Sequence, residues 1–173
     1  MITVMIEMRD DRAAALQATL ACLVPAAVDG LIRDVVVFDR GIGPNARRIA
    51  DDAGCVLRGA QEVGDVLQGG SSEWLLLLEA GSTLSRGWIE TATIHLRTGG
   101  ARGRAARFAS GPLDRWGLPV LARGKRLERG VLAPRRVLSE RYRIGMRLGE
   151  LAATVSTSVL SARIAPPSSL ERC

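Results

Sequence analysis

Three short polar segments in the first half of the chain contain the residue types best suited to chemistry. They are Arg9-Asp10-Asp11, Asp39-Arg40-Gly41 and Glu79-Ala80-Gly81-Ser82. Carboxylates and guanidinium groups bind cations, hydroxyls and phosphate oxygens, and glycine permits tight turns. Each segment directly follows a hydrophobic run. We therefore expect all three segments to stand at the ends of buried strands.

The elements that position these segments alternate between strand and helix. Apolar, β-rich runs occur at residues 2–8, 34–38, 55–57 and 74–78, with apolar residues at helical spacing between them. This alternation predicts a mostly parallel sheet with helices on both faces, joined by right-handed crossovers. The expected fold is a three-layer α/β/α domain that binds ligands at the carboxyl ends of its strands.

Capping and turn residues predict where the helices begin and end. Asp10 and Asp11 are candidate N-caps of a first helix, and Pro25 should interrupt that helix near its C-terminal end. Pro44 is well suited to the first turn of a second helix.

The pattern is weaker in the second half of the chain. Strands are expected at residues 104–109 and 118–122, and a helix at residues 147–164, where leucine and valine could pack. We expect one domain over residues 1–165, followed by a frayed tail at 166–173.

The composition narrows the possible classes of protein. The 173 residues are 47% hydrophobic but only 3% aromatic, so base-stacking surfaces for nucleic acid are scarce. Cys22, Cys55 and Cys173 form no CxxC pair, and neither a secretory leader nor a membrane-spanning run is evident. We expect reduced thiols and a cytoplasmic location.

Positive charge is concentrated in residues 97–147. That segment has 14 basic and 3 acidic residues, whereas the whole chain has a formal net charge of +6. Such a segment could attract nucleotide diphosphates, an anionic membrane surface or nucleic acid. A solvated, arginine-rich surface without a ligand explains it equally well.

Three stretches, in order, resemble the nucleotide-sugar-binding half of family 2 glycosyltransferases. ITVMIEMRDDRAAALQATLACL resembles the family's first strand, loop and helix, and DVVVFDRGIGPNARRIADDAG resembles its second strand, Asp-Gly turn and helix. SSEWLLLLEAGSTLSRGWIE resembles the strand and metal turn, commonly Asp-x-Asp. The resemblance covers residues 2–97. Pro44 and Gly81 each stand where the family usually has an Asp.

The resemblance implies a GT-A fold in which residues 1–97 bind a nucleotide-sugar and residues 98–165 face the acceptor. The residues assigned to the nucleotide pocket are Arg9, Asp10, Asp39 and Gly41. Asp39 would contact the base or the ribose. Glu79 would bind Mn²⁺ or Mg²⁺ only weakly, because Gly81 replaces the second carboxylate.

Other groups could complete the chemistry on the basic side. Arg135 and Arg136 could clamp the diphosphate in place of a metal, since guanidinium pairs bidentately with phosphate oxygens. Asp114 and Glu140 are the candidates for the catalytic base. The helix at 147–164 could contact a homodimer partner or a membrane partner, although core packing is the simpler use of its apolar residues.

Several site residues also have purely structural interpretations. Asp39 could form a turn, Asp10 could cap a helix, and Glu79 could be a loop carboxylate near a helix start. The expected function is transfer of a sugar from a nucleotide-sugar to an envelope or lipid-linked acceptor at the inner face of a membrane. The alternatives are an inactive homologue that acts as a binding or scaffolding protein, and a nucleic-acid-binding module.

Overall fold

The computed structural model describes residues 1–99, 103–110 and 126–167. Its strands are β1 (Ile2–Arg9), β2 (Ile32–Arg40), β3 (Val56–Gly59), β4 (Trp74–Glu79), β5 (Thr83–Leu84), β6 (Ala105–Ala109), β7 (Val131–Pro134) and β8 (Thr157–Ala165). Its helices are α1 (Ala13–Val28), α2 (Pro44–Asp52), α3 (Val63–Gly69), α4 (Trp88–Gly99), α5 (Arg135–Arg141) and α6 (Leu148–Ala153), with a 3-10 helix at Arg126–Arg129.

The strands form a mixed, mostly parallel sheet. Over the described residues its order is β3-β2-β1-β4-β7-β6-β8-β5. β1 lies between β2 and β4 and is parallel to both, and β3 is parallel to β2. β7 is antiparallel to both β4 and β6, and β8 is parallel to β6. The carboxyl ends of β1, β2 and β4 therefore meet at one edge.

Helices cover both faces of the sheet because the central strands are apolar on both sides. In β1, Val4 and Ile6 pack with α1, α2 and α4, whereas Met5 packs with α3, α5, α6 and the 3-10 helix. β4 is buried from Trp74 to Leu78, as a central parallel strand requires. The three-layer α/β/α fold expected from the sequence is confirmed.

The helix expected at residues 147–164 is wrong beyond its first part. α6 ends at Ala153, and the chain continues as β8. The sequence VSTSV at residues 155–159, which includes the start of β8, is rich in β-branched residues and hydroxyls. These residue types favour an extended chain over a helix. The buried residues of β8 alternate along the strand: Leu160, Ala162 and Ile164. They belong to the core, so they provide no helical surface for a partner.

Other boundaries differ in smaller ways. The strand at 104–109 is present as β6, whereas residues 118–122 lie outside the described part of the chain. Pro25 does not stop the first helix, because it falls within the last turn of α1. Pro167, expected in a frayed tail, is buried. Within the described ranges, no helix is both long and apolar enough to cross a bilayer.

Candidate functional site

The carboxyl ends of β1, β2 and β4 bring the three polar segments together. Arg9 is the register partner of Arg40 in β2, and Glu7 is the register partner of Glu79 in β4. Partners on adjacent strands lie about 5 Å apart and point to the same face of the sheet. Glu7 and Glu79 therefore stand side by side, on the face covered by α6.

Glu7 is a buried carboxylate at the bottom of this site, and it was not singled out from the sequence. It is 5% exposed. Arg40 Nη1 donates a hydrogen bond to Glu7 Oε1 at 2.7 Å, and Arg9 Nη2 lies 3.5 Å from the same oxygen. The backbone N of Gly149 donates to Glu7 Oε2 at 3.2 Å. The charge is tolerated there because both oxygens have donors.

The turn after β4 is held in place by α1. The backbone N of Gly81 donates to Thr19 Oγ1 at 2.8 Å, and Thr19 Oγ1 donates to the backbone O of Ser82 at 2.9 Å. Thr19 is completely buried, so water does not compete for these bonds. The turn is thereby fixed relative to β1, and Glu79 at its start is positioned with it.

Gly81 occupies a position that disfavours larger residues. Its φ is 98°, in the left-handed region that favours glycine. A Cβ built there would lie 3.0 Å from Pro167 Cβ and 3.4 Å from Ala15 Cβ. An Asp, the residue usual at this position in the resembled motif, would require the backbone or Pro167 to move.

A cavity of about 140 Å³ opens between the ends of β1 and β4. The residues that line it are Glu7, Arg9, Asp10, Arg12, Glu79, Ala80, Glu128 and Pro167. Four carboxylates and two guanidinium groups give this lining a net negative charge. A diphosphate would therefore be repelled by the lining unless a cation accompanied it.

Asp39 closes the turn after β2. Its Oδ1 accepts hydrogen bonds from the backbone N of Gly41 at 2.8 Å and of Ile42 at 2.9 Å, and its Oδ2 accepts one from Arg47 Nη2 at 2.5 Å. Burial opposes ionisation, but these three donors together outweigh it and lower the pKa of Asp39. Gly41 has a φ of 94°, which the turn requires. The turn-forming role of Asp39 is thus present, and its contact with a nucleotide stays a prediction.

Asp10 and Asp11 do not cap α1, whose N-cap is Arg12 without a side-chain hydrogen bond. Asp11 instead bonds the first turn of α2, whose N-cap is Gly43: its Oδ1 accepts from the backbone N of Ala46 at 2.8 Å and its Oδ2 from Asn45 Nδ2 at 2.9 Å. Asp10 has a φ of 59° and lines the cavity. The first strand-end loop is thereby tied to the second.

Arg135 lies at the opposite end of the sheet from Glu79. β7 is antiparallel to β4, so α5 begins at the amino end of β4, where the backbone N of Arg135 donates to Glu73 O at 2.7 Å. The guanidinium donates to the backbone O of Val66 and Leu67 in α3 and to that of Ser72. Burial lowers the pKa of Arg135. The structure does not bring this side chain to the cavity, contrary to the expected diphosphate clamp.

Arg136 and Glu140 also lie on α5, and neither lines the cavity. Both are exposed, and Arg136 Nη1 lies 3.7 Å from Glu140 Oε1. Their position follows from the reversal of direction at β7, which was not recognised in the sequence. Asp114 lies outside the described residues.

The oxygen donors do not form a complete metal site. Across residues 1–99, 103–110 and 126–167, no group of three His, Cys, Asp or Glu side chains is placed to hold a metal ion. Mg²⁺ is often bound by one or two carboxylates, with substrate phosphates and waters filling its remaining positions. Glu79 therefore fits a cation shared with a diphosphate, and not one held by the protein alone.

The residues missed by sequence analysis act through distant partners. Glu7 interrupts an apolar strand at an inward position, and Arg9 follows it two residues later. A charged residue in a buried strand requires a partner, so this pattern could have indicated that Glu7 forms an ion pair. Thr19 gave no comparable signal, because its contacts at Gly81 and Ser82 lie more than sixty residues away.

The class of fold is the GT-A-type α/β fold, which this chain shares with solved glycosyltransferase structures. It is similar to the glucosyl-3-phosphoglycerate synthase of Mycobacterium tuberculosis in complex with Mn²⁺, UDP and glucosyl-3-phosphoglycerate, with a TM-score of 0.60 and 14% identity over 96% of this chain and 72% of that one. No protein-family model matches the chain, and no curated protein matches its sequence.

Two other solved structures are similar. The mannosyltransferase of Pyrobaculum calidifontis, in complex with GDP-Man and Mn²⁺, gives a TM-score of 0.61 at 11% identity over 91% of this chain and 55% of that one. The mannosyl-3-phosphoglycerate synthase of Rubrobacter xylanophilus gives 0.55 at 15% identity over 79% and 54%. This chain therefore covers between about half and three quarters of the length of each of these three proteins. At such low sequence identities, the similarity shows a shared fold and nothing more.

Proposed function

We propose that the chain binds a nucleotide diphosphate-sugar in the cavity between β1 and β4 and transfers the sugar to an acceptor. The observation that carries the proposal is the meeting of three polar strand-end turns at one edge of a GT-A-type sheet, with Glu79, Arg9 and Asp10 on one cavity. Two of the neighbours were solved with a nucleotide or nucleotide-sugar and Mn²⁺, which supports this class of donor.

Five of the residues that line the cavity, together with Asp39, have roles in this proposal. Arg9 and Arg12 bind phosphate oxygens, and Glu7 positions Arg9 through their ion pair. Asp10 and Asp39, at neighbouring strand ends, contact the ribose or the base. A divalent cation bound at Glu79 would neutralise the charge of the departing diphosphate.

The acceptor side is also part of the proposal. The second half of the chain would bind an envelope or lipid-linked acceptor at the cytosolic face of a membrane. Glu140 lies on α5, away from the cavity, so Asp114 is the remaining candidate for the catalytic base.

Calorimetric titration tests the donor site. Wild type, Glu79→Gln and the control Glu90→Gln, exposed on α4, are titrated with UDP, GDP, UDP-glucose and GDP-mannose, with and without Mn²⁺. We expect binding that needs Mn²⁺, weakens about tenfold or more in Glu79→Gln and is unchanged in the control. Failure of the folded wild type to bind any of these nucleotides contradicts the proposal.

A second candidate is an inactive homologue that binds a nucleotide or a partner without turnover. The observation in its favour is the position of Gly81, where a positive φ and the nearby Pro167 both disfavour a second carboxylate in the turn. Hydrolysis of the bound donor, with water taking the sugar to give UDP and glucose from UDP-glucose or GDP and mannose from GDP-mannose, separates the two candidates. Nucleotide binding without hydrolysis favours the inactive protein, and steady hydrolysis favours the enzyme.

A further inference from the structure

The loop of residues 142–147 between α5 and α6 presents an isolated apolar side chain to solvent. Ile144, in the tight turn of this loop, is 100% exposed, the highest value among the exposed large apolar residues of the described chain. Gly145 beside it has a φ of 86°. Binding of a partner that covers a fully exposed aliphatic side chain is favourable, because it removes apolar surface from water.

Three arginines lie within three residues of Ile144 along the chain. Arg141, Arg143 and Arg147 are exposed, and none of the three forms an ion pair with a carboxylate of the described residues. Arg143 Nη1 donates only to backbone oxygens, at 3.2 and 3.0 Å. The two acidic neighbours are already engaged.

These acidic neighbours are Glu140 and Glu150. Glu140 pairs with Arg136, and Glu150 Oε2 accepts the backbone N–H of Arg147 at 2.9 Å. The loop therefore carries three exposed arginines close in sequence to an exposed apolar side chain, and among the described residues its two nearest carboxylates along the chain are engaged elsewhere.

The loop lies close to the candidate donor site. Five residues after Ile144, the backbone N of Gly149 donates to Glu7 at the bottom of the cavity. Five residues of chain span at most roughly 18 Å, so Ile144 lies within that distance of Gly149. A surface bound by the loop would be near the cavity.

We propose that the 142–147 loop docks on an anionic membrane surface, with Ile144 inserted among the lipids and Arg141, Arg143 and Arg147 bound to headgroup phosphates. An exposed apolar side chain with exposed arginines next to it in the chain is complementary to an anionic interface, where apolar burial and headgroup attraction act together. Single-stranded nucleic acid prefers aromatic stacking platforms, and an aliphatic tip offers none. This inference rests on the proposed function only in its consequence, which is that a lipid-linked acceptor would lie beside the cavity.

Vesicle co-sedimentation without nucleotide tests the proposal independently of the donor site. The full chain is mixed with phosphatidylcholine vesicles, with or without phosphatidylserine, at low and high salt. We expect binding to the anionic vesicles only, and weaker binding as salt screens the arginines. Ile144→Ser should weaken binding about tenfold, and the Arg141→Gln/Arg143→Gln double variant about 25-fold, since each arginine contributes about fivefold.

Matched controls lie on helices of the opposite face. Val28→Ser removes an exposed apolar residue at the end of α1, and Arg48→Gln/Arg97→Gln removes two exposed charges from α2 and α4. These controls should bind anionic vesicles as wild type does. The proposal is overturned if the wild type does not bind anionic vesicles, or if the controls lose as much vesicle binding as the loop variants do. It is also overturned if the wild type binds RNA and not vesicles, and the loop variants weaken that RNA binding.

Discussion

The ion pair between Glu7 and Arg40 places a charge inside the sheet. Glu7 is buried, while the Arg40 side chain is 19% exposed and reaches solvent. Removing one partner of such a pair leaves an uncompensated charge away from water, which costs more than the intact pair contributes. Arg9, 3.5 Å from Glu7 Oε1, and the backbone N of Gly149 would compensate only part of this charge, so the guanidinium of Arg40 is required mainly because Glu7 is present.

We expect Arg40→Ala to lower the free energy of unfolding by about 2 to 3 kcal/mol, somewhat less than for a fully buried pair because Arg40 is partly exposed. Urea denaturation measures the change. Arg47→Ala is the control, because Arg47 is 51% exposed and pairs with Asp39 at the surface. Its loss should stay below about 1 kcal/mol. Equal losses in the two variants would show that Glu7 does not depend on Arg40.

The lowered pKa of Asp39 predicts a dependence of stability on pH. A lowered pKa in the folded state means that ionised Asp39 stabilises the fold. This contribution is complete above the unfolded pKa of about 3.9 and is lost as pH falls through the lower folded value. Asp39→Asn keeps an oxygen for the N–H groups of Gly41 and Ile42 and removes the charge together with the oxygen that accepts from Arg47.

Urea denaturation of wild type and Asp39→Asn at pH 7, 4.5 and 3 checks this expectation. Wild type should be the more stable protein at pH 7 and 4.5, and the difference should shrink at pH 3. A difference that does not change over this range would mean that the variant acts through the geometry of the turn and not through its charge.

Single residues were predictable from the sequence where their contacts are local. The turn of Asp39 and Gly41 spans two residues and follows from their types. Glu7 depends on Arg40, 33 residues away, and on Gly149, 142 residues away. Such pairings depend on the register of whole strands, so the sequence of β1 alone could indicate a need for a partner without identifying it.

At the scale of elements, the C-terminal end of α3 is stabilised by a residue of α5. A helix leaves its last carbonyl groups without partners within the helix, and the Arg135 guanidinium donates to two of these, Val66 O and Leu67 O. Gly70 permits the approach, because a Cβ there would collide with the guanidinium. The end of α3 is thus joined to the start of α5.

Arg135→Met, which keeps a long side chain without its donors, should lower the free energy of unfolding by about 2 kcal/mol. Amide hydrogen exchange should accelerate most in α3. The adjacent Arg136→Met removes an exposed charge and should change stability by less than about 0.5 kcal/mol. Uniform acceleration of exchange over the whole sheet would contradict a local role for Arg135.

The elements of the first half were predictable because apolar spacing differs clearly between its strands and helices. The error at β8 arose because the leucines and valines of residues 148–160 fit a helical face as well as a strand. β7 has four residues and gives no periodicity to recognise. The reversal that β7 introduces determines where α5 lies, so the positions of Arg135 and Glu140 could not be predicted without it.

At the scale of the whole molecule, the two ends of the sheet should respond differently to substitution. Arg9→Ala at the carboxyl edge should weaken binding of UDP with Mn²⁺ about tenfold, because it removes a charge-assisted phosphate contact. Arg136→Gln, on α5 at the other end, should leave this affinity unchanged. Calorimetry on both variants decides, and the opposite ranking would move the donor site to the amino edge.

The contact between Gly81 and Pro167 restricts how this sequence can evolve. Gly81→Asp would place a side chain at a φ of 98° and against the ring of Pro167, so it combines backbone strain with a steric overlap. A carboxylate at residue 81 requires the chain at residue 167 to shift slightly. The effect of a substitution at one position thus depends on the chain 86 residues further along. A lineage with this contact would reach a two-carboxylate turn more easily after the packing around residue 167 has loosened.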